Sequence, residues 1–556
     1  MIPWRHLGHL LARPIATLLK KKHLYKKMLA QTTDSGSNNN TMASSMYKLI
    51  NDNKQETDST AWDPTTMHVR CFCHKLALIV NAGLAALSLK TLPPDKTKQS
   101  VLGFFPVLGK LTKEPEPEEA DQQAEIEIIG TEKTSESHQP EAYEGDADSE
   151  SDYGNADEDS SATGSEGDAS EVDRPTNTNS KNVKSTQLQE LTQKLDVVIK
   201  QITRSAAQRA HFEKTAKDLK IQVAPLIAGY GIRWNVKYQS YAKAVKAREV
   251  IDHILKEDQE QNQAGIFEDV LFSPRDWKEI DNLNAELEVF VKLTSEMEGD
   301  SATGTHVIPK YLELKESLQE KISNAAVSDS LYPMYQAMRQ RVNKYLAEAM
   351  QCETLVLATM MHPCFRMHVF ELVFGAGSAE VSNSLELLNR EFSRTKSQQK
   401  ELLKNPDVAI IEKPTNQSAA SQSLMSRLAS RITAIPAAQE NEVEAYLKAD
   451  ITFKDGAIDH KTTPLLWWKA NCKTYPTLAV IARAYLGTPA SSCSVERLFS
   501  AAADVCNSSR GSFLPSTMAH SVSSLMWLRE EVTLSGDFSD AGKALSVLVP
   551  EPKTKK

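Results

Sequence analysis

The chain has 556 residues and a mass of 61.6 kDa, room for two to four domains of ordinary size. Its 40% hydrophobic and 25% charged content fits a globular chain, and without a run of about 18 apolar residues no membrane-spanning helix is expected. Seven scattered cysteines, an odd number, exclude a disulfide scaffold. The net charge of −9 hides a division: residues 114–173 hold 22 Asp or Glu against one basic residue, Lys133, so the rest of the chain carries +12. A basic body fits a nucleic-acid partner, and it fits an ordinary solvated surface equally well.

Residues 1–33 contain no acid, and Leu7, Leu10, Leu11, Ile15, Leu18 and Leu19 recur near helical spacing, with Pro14 expected to interrupt. An amphipathic helix and an organellar transit peptide both fit. Lys20–Lys22 with Lys26 and Lys27 form a nuclear-import candidate. Small polar residues around Asp34–Ser37 predict a turn, then a helix from about Asn39 or Asn40. Residues 68–73 predict a short strand running into an apolar helix. Residues 113–183, rich in Glu, Asp, Ser, Gly and Pro, have too little apolar surface to offset ordering entropy and are expected to be an acidic disordered linker. The spacing from 184 to 455 predicts helices throughout, with a loose segment near 395–440. Between 462 and 535 it predicts four helices, the second opened by Pro476 and the third carrying Val495, Leu498, Phe499 and Ala502 on its apolar face. Residues 536–556 read as a tail.

Trp467-Trp468, Pro476, Leu478-Ala479, Leu486, Pro489-Ala490-Ser491-Ser492, Glu496-Arg497, Phe499-Ser500 and Arg510 follow one another at a spacing that resembles the C-terminal dimerisation region of hAT-superfamily DNA transposases. Upstream, Thr33-Asp34-Ser35-Gly36-Ser37-Asn38, Arg70-Cys71-Phe72-Cys73-His74 and Arg233-Trp234-Asn235 resemble that family's T-D-N-A-S-N, R-C-x-x-H and R-W-N-S elements, and His6-Leu7-Gly8-His9 resembles the helix before its second acidic strand.

The resemblance implies an RNase H-like sheet on which three carboxylates hold two divalent ions, Mg²⁺ by their oxygen-rich chemistry. It gives Asp34 as the second carboxylate and Glu496 as the third. The first would precede Asp34, where nothing acidic stands. It also implies DNA contacts from Cys71, His74, Arg233, Trp234 and Arg497, and a dimer surface from Trp467, Trp468, Leu478, Ile481, Tyr485, Leu498 and Phe499. Plainer readings stay open: Asp34 as a turn or cap residue, Glu496 as a solvated helix residue, Cys71 and Trp234 as core packing, His74 as a satisfied helix-start histidine. Cys71, Cys73 and His74 form one cluster without a second ligand pair, so a structural zinc is not expected. No BED-type zinc finger, P-loop, H-E-x-x-H or G-x-S-x-G pattern occurs. At His362-Pro363-Cys364-Phe365-Arg366 the family often has L-D-P-R, and His replaces Asp.

The expected fold is α/β with predominant helix: an RNase H-like domain lacking its early strands (1–112), interrupted by a large all-α insertion and closed by C-terminal helices. The expected function is a transposase-derived protein that self-associates and binds DNA non-specifically in the nucleus, without a cofactor and without transposition activity. Two alternatives stand beside it: an active cut-and-paste transposase whose N-terminal exon is missing, using Mg²⁺, and an interaction module unrelated to DNA. No membrane and no small-molecule substrate are expected as partners.

Overall fold

The computed structural model describes residues 8–34, 36–51, 62–89, 183–228, 234–260, 266–267, 270–299, 303–404, 441–449, 451, 463–505 and 515–529. The chain divides into two units, Met1–Ser492 and Cys493–Lys556. The acidic segment lies outside the described residues except Val183, which opens a helix.

The first unit begins with α1 (Gly8–Lys21), β1 (Gln31–Thr33), α2 (Ser37–Asn51), β2 (His68–Arg70) and α3 (Phe72–Ala86). Strands β1 and β2 pair in parallel, with Gln31 opposite His68 and Thr33 opposite Arg70. Parallel neighbours need a crossover, and α2 supplies it. Helix α1 runs through Pro14 instead of breaking there. Pro14 is exposed, and Ala12 and Ala16 bury against Met42, Ala43 and Met46 of α2, so packing outweighs the lost backbone bond. The approach is close: a Cβ at Gly8 would stand 2.3 Å from the Asn38 carbonyl oxygen. Strand β2 stops at Arg70, earlier than the sequence suggests, because Cys71 already caps α3. That helix is apolar around most of its circumference, and Phe72 to Val80, Gly83 and Leu84 are buried, as befits a central helix.

The rest of this unit is helical, in agreement with the predominantly helical expectation: α4 (Val183–Arg204), α5 (Ala206–Asp218), α6 (Trp234–Lys246), α7 (Arg248–Glu260), α8 (Pro274–Glu298), α9 (Val307–Asn324), α10 (Tyr332–Gln351), α11 (Glu353–Met361), α12 (His368–Phe374), α13 (Ala379–Lys404), α14 (Glu442–Lys448), α15 (Thr463–Asn471) and α16 (Pro476–Tyr485). Helix α8 starts with a capping box in which Ser273 and Asp276 bond reciprocally, with Pro274 at its first position. Because α13 continues to Lys404, the first ten residues of the segment expected to be loose from 395 are helical. Residues 405–440 lie outside the described residues.

Helix α11, buried from Thr354 to Met361, is the post to which the end of this unit is tied. Tyr446 of α14 donates its hydroxyl to the Met360 carbonyl (3.0 Å), and Trp468 of α15 donates its indole N–H to the Met361 carbonyl (2.7 Å). Tyr446, Trp467, Trp468 and Tyr475 form one aromatic cluster, with Trp467 stacked on Tyr475 at 5.9 Å. Two buried charges complete the attachment. Arg366 directs Nη1 at the carbonyls of Tyr446 (3.1 Å), Leu447 (3.1 Å) and Ala449 (2.7 Å), where α14 ends. Glu442 accepts the backbone N–H groups of Thr477 (3.0 Å) and Leu478 (3.2 Å), where α16 begins. Both pairings follow from helix ends: unpaired carbonyls attract a cation and unpaired N–H groups attract an anion.

The second unit contains α17 (Cys493–Val505) and α18 (Pro515–Arg529), the third and fourth helices expected from the sequence, packed on each other. Helix α17 starts at Cys493, directly after the Pro489–Ser492 loop.

Candidate active site and association surface

Asp34 follows β1 at the mouth of the crossover. Its Oδ1 accepts the Gly36 N–H (3.0 Å) and the Asn39 side-chain amide. The Asn39 N–H bonds back to the Gly36 carbonyl (3.0 Å), and α2 starts at Ser37, two or three residues earlier than the sequence suggests. This is what an Asx-type turn residue does, and it also fixes the carboxylate's direction.

A polar cluster surrounds the ends of the two strands. Thr33 Oγ1 and His68 Nε2 are 2.7 Å apart. Burial, and then the neighbouring Arg70 charge, push the His68 pKa down to about 3, so this imidazole is neutral at physiological pH. Arg70 donates to the Asn40 side chain. Burial lowers the pKa of its guanidinium, and the charges of Glu348 and Asp34 oppose that shift. Glu348 also pairs with Lys75 at 3.0 Å, whose ammonium lies 4.1 Å from the Tyr345 ring centroid. His68, Arg70, Lys75, Tyr311, Tyr345 and Glu348 line one small cavity.

The Pro489–Ser492 loop docks on these strand ends. Thr32 Oγ1 donates to the Pro489 carbonyl (3.2 Å), the Phe72 N–H donates to the Ala490 carbonyl (3.1 Å), and the Ser492 N–H reaches Cys71 Sγ (3.4 Å). Thus Asp34, Cys71 and the Pro-Ala-Ser-Ser segment, singled out separately in the sequence, meet in one place.

Other singled-out residues are placed differently. Cys71 is 1% and Trp234 2% exposed, and His74 is buried with them. All three side chains pack into the core of the first unit. The cause is the apolar surround of α3 and of the start of α6. Arg233 lies outside the described residues. Glu496 and Arg497 sit in the first turn of α17, Glu496 buried and Arg497 half-buried. Asp34 and Glu496 belong to different units. Among the described residues no three His, Cys, Asp or Glu side chains converge as metal ligands. Asp34 also has one oxygen engaged by N–H donors, so it does not by itself fit a pair of divalent ions.

The expected dimer surface separates into two sets. Leu478 (0%), Ile481 (1%), Tyr485 (1%) and Trp468 (5%) are core residues of the first unit. Trp467 is half-buried in the aromatic cluster. Leu498 (37%) and Phe499 (64%) on α17 face solvent, as do Leu465 and Leu466 on α15. The apolar periodicity was the same for both sets, and only the packing distinguishes them.

Arg70, Lys75, Glu348, Arg366 and Glu442 were not expected as site or anchoring residues. Each partner comes from a distant part of the chain, so sequence spacing carries no signal for them. His362 accepts the Cys364 N–H on Nδ1 (3.2 Å) and stacks on Phe365 at 4.1 Å. The imidazole therefore does the capping that an Asp at this turn would do.

A parallel crossover with a carboxylate after its first strand is thus followed by a helical body and a C-terminal helical module. Residues 442–528 match the hAT family C-terminal dimerisation region, so the chain is related to the hAT transposases through this region, and the match includes α14, which the sequence reading from 462 had left out. The AC transposase and the AC9 transposase of Zea mays are each 34% identical over 85 residues, covering 15% of this chain and 10% of theirs. The transcriptional regulator tpeD of Talaromyces stipitatus is 43% identical over 63 residues, covering 11% of this chain and 7% of its own. The chain thus matches a tenth or less of the length of these relatives.

Proposed function

We propose that the protein is a transposase-derived chain that works by self-association through its C-terminal region and by non-specific association with DNA in the nucleus, without catalysing transposition. The match of residues 442–528 to a dimerisation region carries this reading. The exposed Leu498 and Phe499 on α17 support it as partner surface, since apolar side chains of this size are favoured in interface cores. The β1–α2–β2 crossover running into α3 supports an RNase H-like ancestry for the first segment, with the helices of 184–455 as its insertion. The non-catalytic reading is supported by Asp34, which serves its own turn, and by the burial of Cys71, His74 and Trp234. DNA association and a nuclear location agree with relatives named as transposases and as a transcriptional regulator.

A plasmid-nicking assay tests the non-catalytic part. Purified chain with Mg²⁺ or Mn²⁺ is expected to leave supercoiled DNA intact. Metal-dependent nicking that vanishes in both Asp34→Ala and Glu496→Ala would establish the active-transposase alternative instead.

A further inference from the structure

Residues 8–51 carry seven cations, Arg13, Lys20, Lys21, Lys22, Lys26, Lys27 and Lys48, and one acid, Asp34. That acid is turned into its own loop. Elsewhere in the unit cations sit against carboxylates, as in Lys75–Glu348, Lys237–Asp196, Arg390–Glu353 and Arg394–Glu391. Here Arg13, Lys21, Lys22, Lys27 and Lys48 are exposed, and among the described residues none has a carboxylate partner. Lys20 is used internally, donating to the Leu49 carbonyl (2.5 Å) near the end of α2.

Unpaired like charges this dense repel one another, and an external polyanion relieves that repulsion. A lipid surface is a poor fit, because a helix lying in a bilayer needs a free apolar face. The face of α1 that holds Ala12 and Ala16 is packed on α2. The apolar side chains left exposed among the lysines are Ile15 and Leu18, one turn apart on α1, and Leu24 beyond its end, too few for the apolar face that an interfacial helix buries. A phosphate backbone makes no such demand, since it presents regularly spaced charges to flexible ammonium groups. We propose that the outer face of α1 and α2 binds the phosphate backbone of duplex DNA through Arg13, Lys21, Lys22, Lys27 and Lys48. This localises the DNA association proposed above and rests on it.

The test is fluorescence anisotropy of a labelled random-sequence duplex titrated with the full chain at several salt concentrations. The variant Lys21→Glu/Lys22→Glu/Lys27→Glu leaves Lys20 in place to preserve the α1–α2 contact. A control of equal charge change, Lys200→Glu/Lys214→Glu/Lys217→Glu, alters exposed lysines of α4 and α5. Wild type is expected to bind with affinity that falls steeply with salt. The α1 variant should bind about 30-fold more weakly near 0.1 M salt, with a log–log salt slope shallower by about 3, while the control stays within about threefold. Wild-type binding with no difference between the two variants would overturn the assignment of this face and leave DNA association standing. Failure of the wild type to bind the duplex at low salt would overturn both. Binding of the wild type to anionic phospholipid vesicles in place of the duplex would do the same.

Discussion

Arg366→Met should destabilise the first unit by about 3–5 kcal/mol, because it removes the cation that closes α14. The Arg366 side chain is buried, and one guanidinium nitrogen serves the carbonyls of Tyr446, Leu447 and Ala449. Those are the last carbonyls of a seven-residue helix, too short to hold itself together. Methionine fills similar space and leaves the carbonyls without a donor. Arg366→Lys keeps the charge but lacks the planar fork, so about half of the loss is expected. Arg366 sits at φ 47°, in the left-handed region. Lys and Met share that backbone strain with Arg, so the comparison isolates the side chain. Urea midpoints followed by tryptophan fluorescence, with the wild-type m-value as reference, measure the difference.

Glu442→Ala should cost about 3 kcal/mol, by the opposite electrostatics. The Glu442 carboxylate is 4% exposed and accepts two N–H groups at the start of α16. Pro476, the first residue of that helix, has no N–H to satisfy, so Thr477 and Leu478 carry the unpaired donors. Alanine leaves both buried without an acceptor. Glu442→Gln keeps one acceptor oxygen and loses the charge at the positive end of the helix, so about 1 kcal/mol is expected. The same urea titration reads both variants. The order wild type, Gln, Ala is the expected result, and Ala indistinguishable from wild type would contradict the cap. Since α14 and α16 both belong to the matched region, these two buried charges tie α14 to the turn after α11 and to the start of α16.

Much of this was readable in the sequence, and the failures have physical causes. The strand–helix step at Arg70-Cys71-Phe72 and the helices at 463–471, 476–485, 493–505 and 515–529 follow from local periodicity and capping, which a sequence displays directly. Pro14 was read as a break because local rules cannot weigh Ala12 and Ala16 packing on α2. Helix α14 was not separated from the helical body, since its attachment to the C-terminal module is tertiary, through Tyr446 on the Trp467–Trp468 pair. The site shows the same division. The turn at Asp34 was legible from Asp, Gly and Asn. Its neighbours Arg70 and Glu348 were not, because residues almost 280 apart meet only after α3 and α10 pack. Apolar periodicity identified the faces of α16 and α17 equally well and said nothing about which one stays exposed.

The central claim is self-association through the C-terminal region, and sedimentation equilibrium of the full chain tests it most directly. Wild type is expected at twice the 61.6 kDa chain mass, or a higher multiple, at micromolar concentration. Leu498→Asp/Phe499→Asp, which alters two exposed side chains and no buried one, is expected at the single-chain mass with unchanged helical circular dichroism. A wild-type chain that sediments as a monomer, or a variant that still associates as wild type does, would contradict the account.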